Sequence, residues 1–162
     1  MVFHGYGAMR LLCASLRMVV LSLSAIGMLG LSAPALADAQ SVPLVVDNDR
    51  GGSLRARIAE IRALRDSGQP VRIMGRICYS TCTMYLGLPQ TCVSPQTTFG
   101  FHGPSSYGRP LDPAVFQRAS ELIRDHYPVP LRQWYMDTAR HRISGLYRVS
   151  GAEMIRLGVS PC

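Results

Sequence analysis

Residues 42–47 (VPLVVD) form a short, unbroken apolar run, the pattern of a strand buried on both faces. The run stops at Asn48-Asp49-Arg50-Gly51-Gly52, a sequence suited to a tight turn. Ser53 then stands where a helix N-cap belongs, Leu54, Ile58, Ile61 and Leu64 recur at helical spacing, and Ser67-Gly68 supplies the C-cap. After Pro70, residues 71–74 read as a second short strand. Strand, glycine turn, helix and strand predict a right-handed crossover unit of a parallel sheet.

Residues 75–81 are expected to turn into a buried helix over 82–88, halted by Gly87 and Pro89. Two further strands are predicted over 91–94 and 97–102, followed by a loop rich in Ser, Gly and Pro to Pro110. Asp112-Pro113 is a strong helix start, a cap followed by a first-turn proline, and the helix should reach about Tyr127. Pro128 and Pro130 break it, the helical pattern resumes from Leu131 to about Arg140, and Ser150 caps a last helix over 152–157. Alternating elements of this kind place the chain in the α/β class.

The first 37 residues follow a different pattern. Arg10 and Arg17 precede an apolar run over 18–31 that ends in Ala35-Leu36-Ala37, the form of a secretory signal peptide cleaved after Ala37. The run is shorter than the roughly 20 residues a spanning helix needs. The expected product is an exported domain, residues 38–162, periplasmic or secreted, with no stable membrane span. In an oxidising compartment its four cysteines, Cys78, Cys82, Cys92 and Cys162, suggest two disulfides in one of three pairings. Cys162 is expected to tie the chain end to the core through Cys92. Zinc is disfavoured, because Cys78-x3-Cys82 is not a metal knuckle and no second pair follows at matching spacing.

The full chain carries 17 basic and 10 acidic residues, a net +7, and loss of Arg10 and Arg17 with the leader lowers this to +5. Every basic residue is arginine. Without lysine there is no phosphate-binding P-loop, no pyridoxal-phosphate Schiff base and no serine–lysine dyad, and no cofactor is called for. The arginines are scattered rather than arranged in a stripe, which argues against a nucleic-acid partner.

Three features could carry chemistry. The Gly51-Gly52 turn opens a helix with unobstructed backbone N–H groups, a natural place to hold an oxyanion. Ser80 lies just after a strand and at the start of a helix, with the Thr81 N–H beside it. His102 closes the strand that ends Phe99-Gly100-Phe101 and could accept the Ser80 proton. His126 and His141 read as structural residues.

The order of these features resembles the Clp protease proteolytic subunit within the ClpP/crotonase superfamily. VVDNDRGGS is similar to that family's strand and glycine turn, and residues 75–87 to its nucleophile segment. CVSPQTTFGFHGP is similar to the strand bearing the general base, and RVSGAEMIRLGV to the closing helix. Cys-x-Ser-x-Cys followed by a Phe-His strand also resembles a group of small exported bacterial proteins related to the superfamily. The resemblance spans about residues 42–160. It implies a truncated crossover fold with C-terminal helices, Ser80 as nucleophile, His102 as base, and Gly52 (or Gly51) with Thr81 as oxyanion donors.

Two departures stand out. The family's aspartate falls near Leu146 or His141, neither a carboxylate, and Asp137 is the nearest acid that could substitute as a third member. The family's additional strand–helix–strand unit before the glycine turn has no counterpart between Asp38 and Val42. The expected function is therefore an exported serine hydrolase acting on a peptide or protein. The alternative is a catalytically inactive relative, a binding or assembly module of the cell envelope that uses the fold for homo-oligomer contacts. A coenzyme A-dependent crotonase reaction is set aside, since that cofactor is not expected outside the cytoplasm.

Overall fold

A computed structural model describes residues 41–162. The signal segment predicted over 1–37 lies outside the described residues. The first strand, β1 (Leu44–Val46), runs into the glycine turn and then into helix α1 (Leu54–Ser67). Both predicted caps of α1 are in place: the Ser53 hydroxyl accepts from the Ala56 N–H, and Gly68 takes the left-handed conformation. The helix turns Ile61 and Leu64 inward. The next strand, β2 (Val71–Ile73), pairs parallel with β1, giving the expected crossover unit.

The chain between residues 75 and 81 departs from expectation. It contains a strand, β3 (Ile77–Tyr79), and the apolar segment after it is a 3₁₀ helix, Ser80–Gly87, that starts at Ser80 itself. Strands β4 (Thr91–Val93) and β5 (Thr98–Phe101) follow. Helix α2 (Pro113–Arg124) starts where its cap and proline placed it and stops a few residues early. Helix α3 (Val129–Asp137) begins two residues before the expected Leu131, takes Pro130 into its first turn, where the N–H that proline lacks is not needed, and ends before Arg140. Near the chain end are a strand the sequence did not announce, β6 (Tyr147–Ser150), the Ser150-capped helix α4 (Gly151–Arg156) and a two-residue strand, β7 (Ser160–Pro161).

These strands build two sheets. One is fully parallel, in the order β1-β2-β4-β7. The other has the order β3-β5-β6, with β3 parallel and β6 antiparallel to β5. The chain passes from the first sheet to the second three times. β1 leads to Asp49, which bridges to Cys78 of β3; β2 leads to β3; and β4 leads to β5. The class is α/β, with one parallel and one mixed sheet.

The core lies between and beside the sheets. Val71, Ile73, Val93, Phe99, Phe101, Met84, Tyr85 and Tyr135 are all buried. Phe101 packs edge-on against both Tyr127 and Trp134, which fixes the end of β5 against α3 and the link that precedes it. Among the described residues all four cysteines are paired in two disulfides, Cys78–Cys82 and Cys92–Cys162. The second is the predicted tie between chain end and core, and both fit an oxidising, exported compartment. Among the described residues no helix is long and apolar enough to cross a membrane.

Candidate active site

Ser80 occupies the junction between β3 and the 3₁₀ helix. Tyr79 is still extended (φ −113°, ψ 155°), whereas Ser80 has φ 57°, a left-handed conformation rare for a residue with a side chain. This sharp strand-to-helix turn lifts the hydroxyl out of the backbone. The Ser80 carbonyl accepts from the Thr83 hydroxyl at 2.7 Å, which in turn meets the Tyr127 hydroxyl at 2.8 Å. Burial pushes the Tyr127 phenol well above its ordinary range, with the Thr83 hydrogen bond pulling weakly the other way, so the phenol stays neutral.

His102 follows β5 directly, and the register of β5 on β3 brings it to Ser80. Tyr79 pairs with Gly100, so the residues just beyond each strand end emerge together. His102 Nε2 lies 2.7 Å from Ser80 Oγ, and His102 Nδ1 lies 2.7 Å from the Gly103 carbonyl oxygen. A carbonyl can only accept, so Nδ1 carries the proton. In the neutral ring Nε2 then presents its lone pair, and the Ser80 hydroxyl donates to it.

Asp137, the acid that could substitute as a third member, makes no hydrogen bond to His102. That carboxylate is exposed on α3 and accepts from Gln133 at 2.7 Å. The segment where the resemblance put an acid does reach the His102 strand, but through backbone: the Gly103 N–H donates to the Arg142 carbonyl at 3.0 Å. The group that orients the imidazole is the Gly103 carbonyl.

The glycine turn faces Ser80. Gly51 has φ 88°, and a Cβ built on it would stand 2.5 Å from Ser80 Cβ and 2.8 Å from the Tyr79 carbonyl oxygen. Only glycine allows this approach. Its N–H, however, donates to Asp49 Oδ1 at 2.7 Å, so Gly51 is not a free oxyanion donor. The Gly52 N–H has no acceptor among the described residues, and Gly52 lines the same cavity as Ser80, Thr81 and His102. The Thr81 N–H stands in the first turn of the 3₁₀ helix, where backbone donors lack helical acceptors. Gly52 and Thr81 remain as candidate donors.

Sequence reasoning missed what holds this turn. The second oxygen of Asp49 meets the Arg57 guanidinium at 2.5 Å, and Arg57 bonds the Tyr85 hydroxyl while its guanidinium lies 4.3 Å over the Tyr85 ring. Arg57 is only 10% exposed. Asn48 Oδ1 accepts from the Arg76 and Ile77 N–H groups, and the Asp49 carbonyl accepts from Tyr79. The turn is thereby sewn to β3 on one side and clamped to α1 on the other. The available signal was an Asx residue two positions before Gly-Gly, the spacing of a side chain that caps its own turn.

The cavity beside Ser80 measures about 740 Å³. Leu54, Met84, Leu111, Ile123 and Tyr127 supply its apolar wall, and among the described residues no Asp, Glu or Arg lines it. A two-residue hairpin, Ser106 paired with Arg109, adds Ser106, Tyr107 and Gly108 to its lining, and the tip residue Tyr107 is 98% exposed. No protein-family model matches the chain, and no curated protein is significantly similar to it.

Proposed function

We propose that the chain is an exported serine hydrolase of ClpP/crotonase type, with Ser80 as nucleophile and His102 as general base. The observation that carries this reading is the 2.7 Å contact between Ser80 Oγ and His102 Nε2, at a strained strand-to-helix turn beside an apolar cavity. The repeated passage from the parallel sheet to the mixed one, with a helix before each return, supports the spiral arrangement that such a fold requires.

The chemistry follows from the hydrogen bonds. Ser80 Oγ attacks the carbonyl carbon of a bound substrate while its proton passes to His102 Nε2. The imidazolium formed keeps its Nδ1–H on the Gly103 carbonyl. The developing oxyanion is received by the Gly52 and Thr81 N–H groups, each such donor being worth about 3–4 kcal/mol in a water-excluded site. His102 then protonates the leaving group, and water enters to release the acyl group by the same steps in reverse order. With no charge in the cavity wall, the group beside the scissile carbonyl is neutral and apolar, as in a peptide or ester with an aliphatic or aromatic side chain.

A fluorophosphonate probe tests this reading. Wild-type protein should be labelled at Ser80, as read by peptide mass, and Ser80→Ala should abolish labelling with an unchanged circular dichroism spectrum. His102→Ala should slow labelling by at least about 100-fold, the usual worth of a general base. Absence of labelling at neutral and mildly alkaline pH would instead favour a non-catalytic binding or assembly module.

A further inference from the structure

We propose that the Cys78–Cys82 disulfide is a positioning device for the nucleophile, holding the chain reversal that puts Ser80 in its left-handed conformation, with the Thr83 hydroxyl as a second anchor. The inference deepens the hydrolase reading and takes its kinetic readout from it. Four residues of extended chain would separate the two Cα atoms by about 13 Å. The bridge holds them at 5.3 Å. Tyr79, Ser80 and Thr81 must absorb the whole difference. Tyr79 cannot, because it remains in β3 and pairs with Gly100. The reversal therefore falls on Ser80 and Thr81, and of the two it is Ser80 that takes a positive φ.

A left-handed residue with a side chain relaxes unless its surroundings over-determine it. At Ser80 the surroundings do so from three sides. The disulfide fixes the chain before and after it. Gly51 packs against its Cβ. The Thr83 hydroxyl donates to its carbonyl, and since that proton is committed, the Tyr127 hydroxyl donates to Thr83. Cys78 and Cys82 are both fully buried, so the bridge is shielded from ready thiol exchange. The loop it closes is short, separation 4 against 70 for Cys92–Cys162, so it restricts the unfolded chain much less than its counterpart. Its placement accounts for more than its stabilising power does.

The test compares Cys78→Ala/Cys82→Ala with Cys92→Ala/Cys162→Ala, using a fluorophosphonate and separating the capture rate from the initial binding constant. The first pair should lose about ten-fold or more in capture rate, the factor that corresponds to a relaxed left-handed residue. Its initial binding should be unchanged. The second pair should lose more thermal stability yet react at the wild-type rate. A first pair that reacts at the wild-type rate overturns the proposal. Where that pair fails to unfold cooperatively, the near-isosteric Thr83→Val carries the test: a slowed capture supports the proposal and a wild-type rate overturns it. If wild-type protein is not labelled at all, the hydrolase reading fails separately, and the positioning role is read from the ¹⁵N shifts of His102. The Nε2 resonance should move when Ser80 relaxes away, and identical His102 signals in wild type and variants overturn the inference.

Discussion

Replacing Gly51 by alanine perturbs both the turn and the nucleophile, and the two costs can be separated. The first is conformational: at φ 88° an alanine is strained by about 1–2 kcal/mol. The second is steric. The new Cβ would lie 2.5 Å from Ser80 Cβ and 2.8 Å from the Tyr79 carbonyl oxygen, and neither is the far end of a flexible side chain. Forcing a methyl into such packing costs roughly 1–3 kcal/mol further. Gly68 provides the control. It is also left-handed, at φ 66°, but a Cβ there meets nothing within 4 Å, so Gly68→Ala carries only the conformational cost. For a domain of this size about 1 kcal/mol corresponds to about 4 °C. Gly68→Ala should therefore lower the melting temperature by roughly 4–8 °C and Gly51→Ala by roughly 8–20 °C. Gly51→Ala should also slow fluorophosphonate capture, because the strand end bearing Ser80 has to give way, whereas Gly68→Ala should not. Thermal denaturation followed by circular dichroism and the labelling rate decide the matter. Equal destabilisation by the two variants, with wild-type labelling in Gly51→Ala, would refute the packed arrangement of turn and nucleophile.

Three further outcomes follow from the same geometry. Cys162 is exposed and Cys92 half-buried, so mild reductant should open Cys92–Cys162 before Cys78–Cys82, lowering stability by about 4 kcal/mol; alkylation and peptide mapping at intermediate times identify the order. Asp49→Ala removes the acceptor of the Gly51 N–H and the partner of a largely buried arginine, and should cost about 2–3 kcal/mol by urea titration while slowing labelling. The raised phenol of Tyr127 means the folded state holds a proton that the unfolded state has released above about pH 10. Its contribution is intact below that pH and falls as pH rises beyond it, by up to about 1.4 kcal/mol per pH unit. The buried Tyr135 adds in the same direction, and the absence of lysine keeps the alkaline range free of ammonium titration. Urea midpoints that hold steady above pH about 10 would contradict that account.

The parts of the fold written in local chemistry were legible in the sequence. Ser53 and Gly68 bound α1, Asp112-Pro113 starts α2, and Ser150 caps α4, each through a side chain or backbone preference acting within one turn. What escaped is held by distant partners. β3 is three residues long, begins two positions after Gly75, and owes its form to Asn48 and β5. β6 is an edge strand largely exposed on both faces, so it shows no apolar alternation, and β7 is two residues pinned beside β4. The helix from Ser80 to Gly87 buries nearly every side chain and so carries no amphipathic period. At the site, Ser80 and His102 could be named because a hydroxyl and an imidazole at strand ends are visible as residue types. The group that orients His102 is a main-chain carbonyl, and the search for a carboxylate, which led to Asp137, could not have found it.

A carbonyl in that position is not equivalent to an acid, and the difference shapes the chemistry the site can sustain. Both fix the tautomer with Nδ1 protonated, and in serine proteases loss of the acid is costly chiefly because the wrong tautomer results. The Gly103 carbonyl avoids that loss. What it lacks is net negative charge to stabilise the imidazolium, and among the described residues no acid lines the cavity to replace it. The burden shifts to the parts of the site that need no charge: the Gly52 and Thr81 donors, and a hydroxyl already held against its base. Holding that hydroxyl consumes conformational strain at Ser80, which the disulfide, the Gly51 contact and the Thr83 hydrogen bond sustain. Under the hydrolase reading this balance suits the more electrophilic acyl groups, esters before amides, because the imidazolium formed as Ser80 attacks has no carboxylate to stabilise it, and the attack step rather than departure of the leaving group carries the cost.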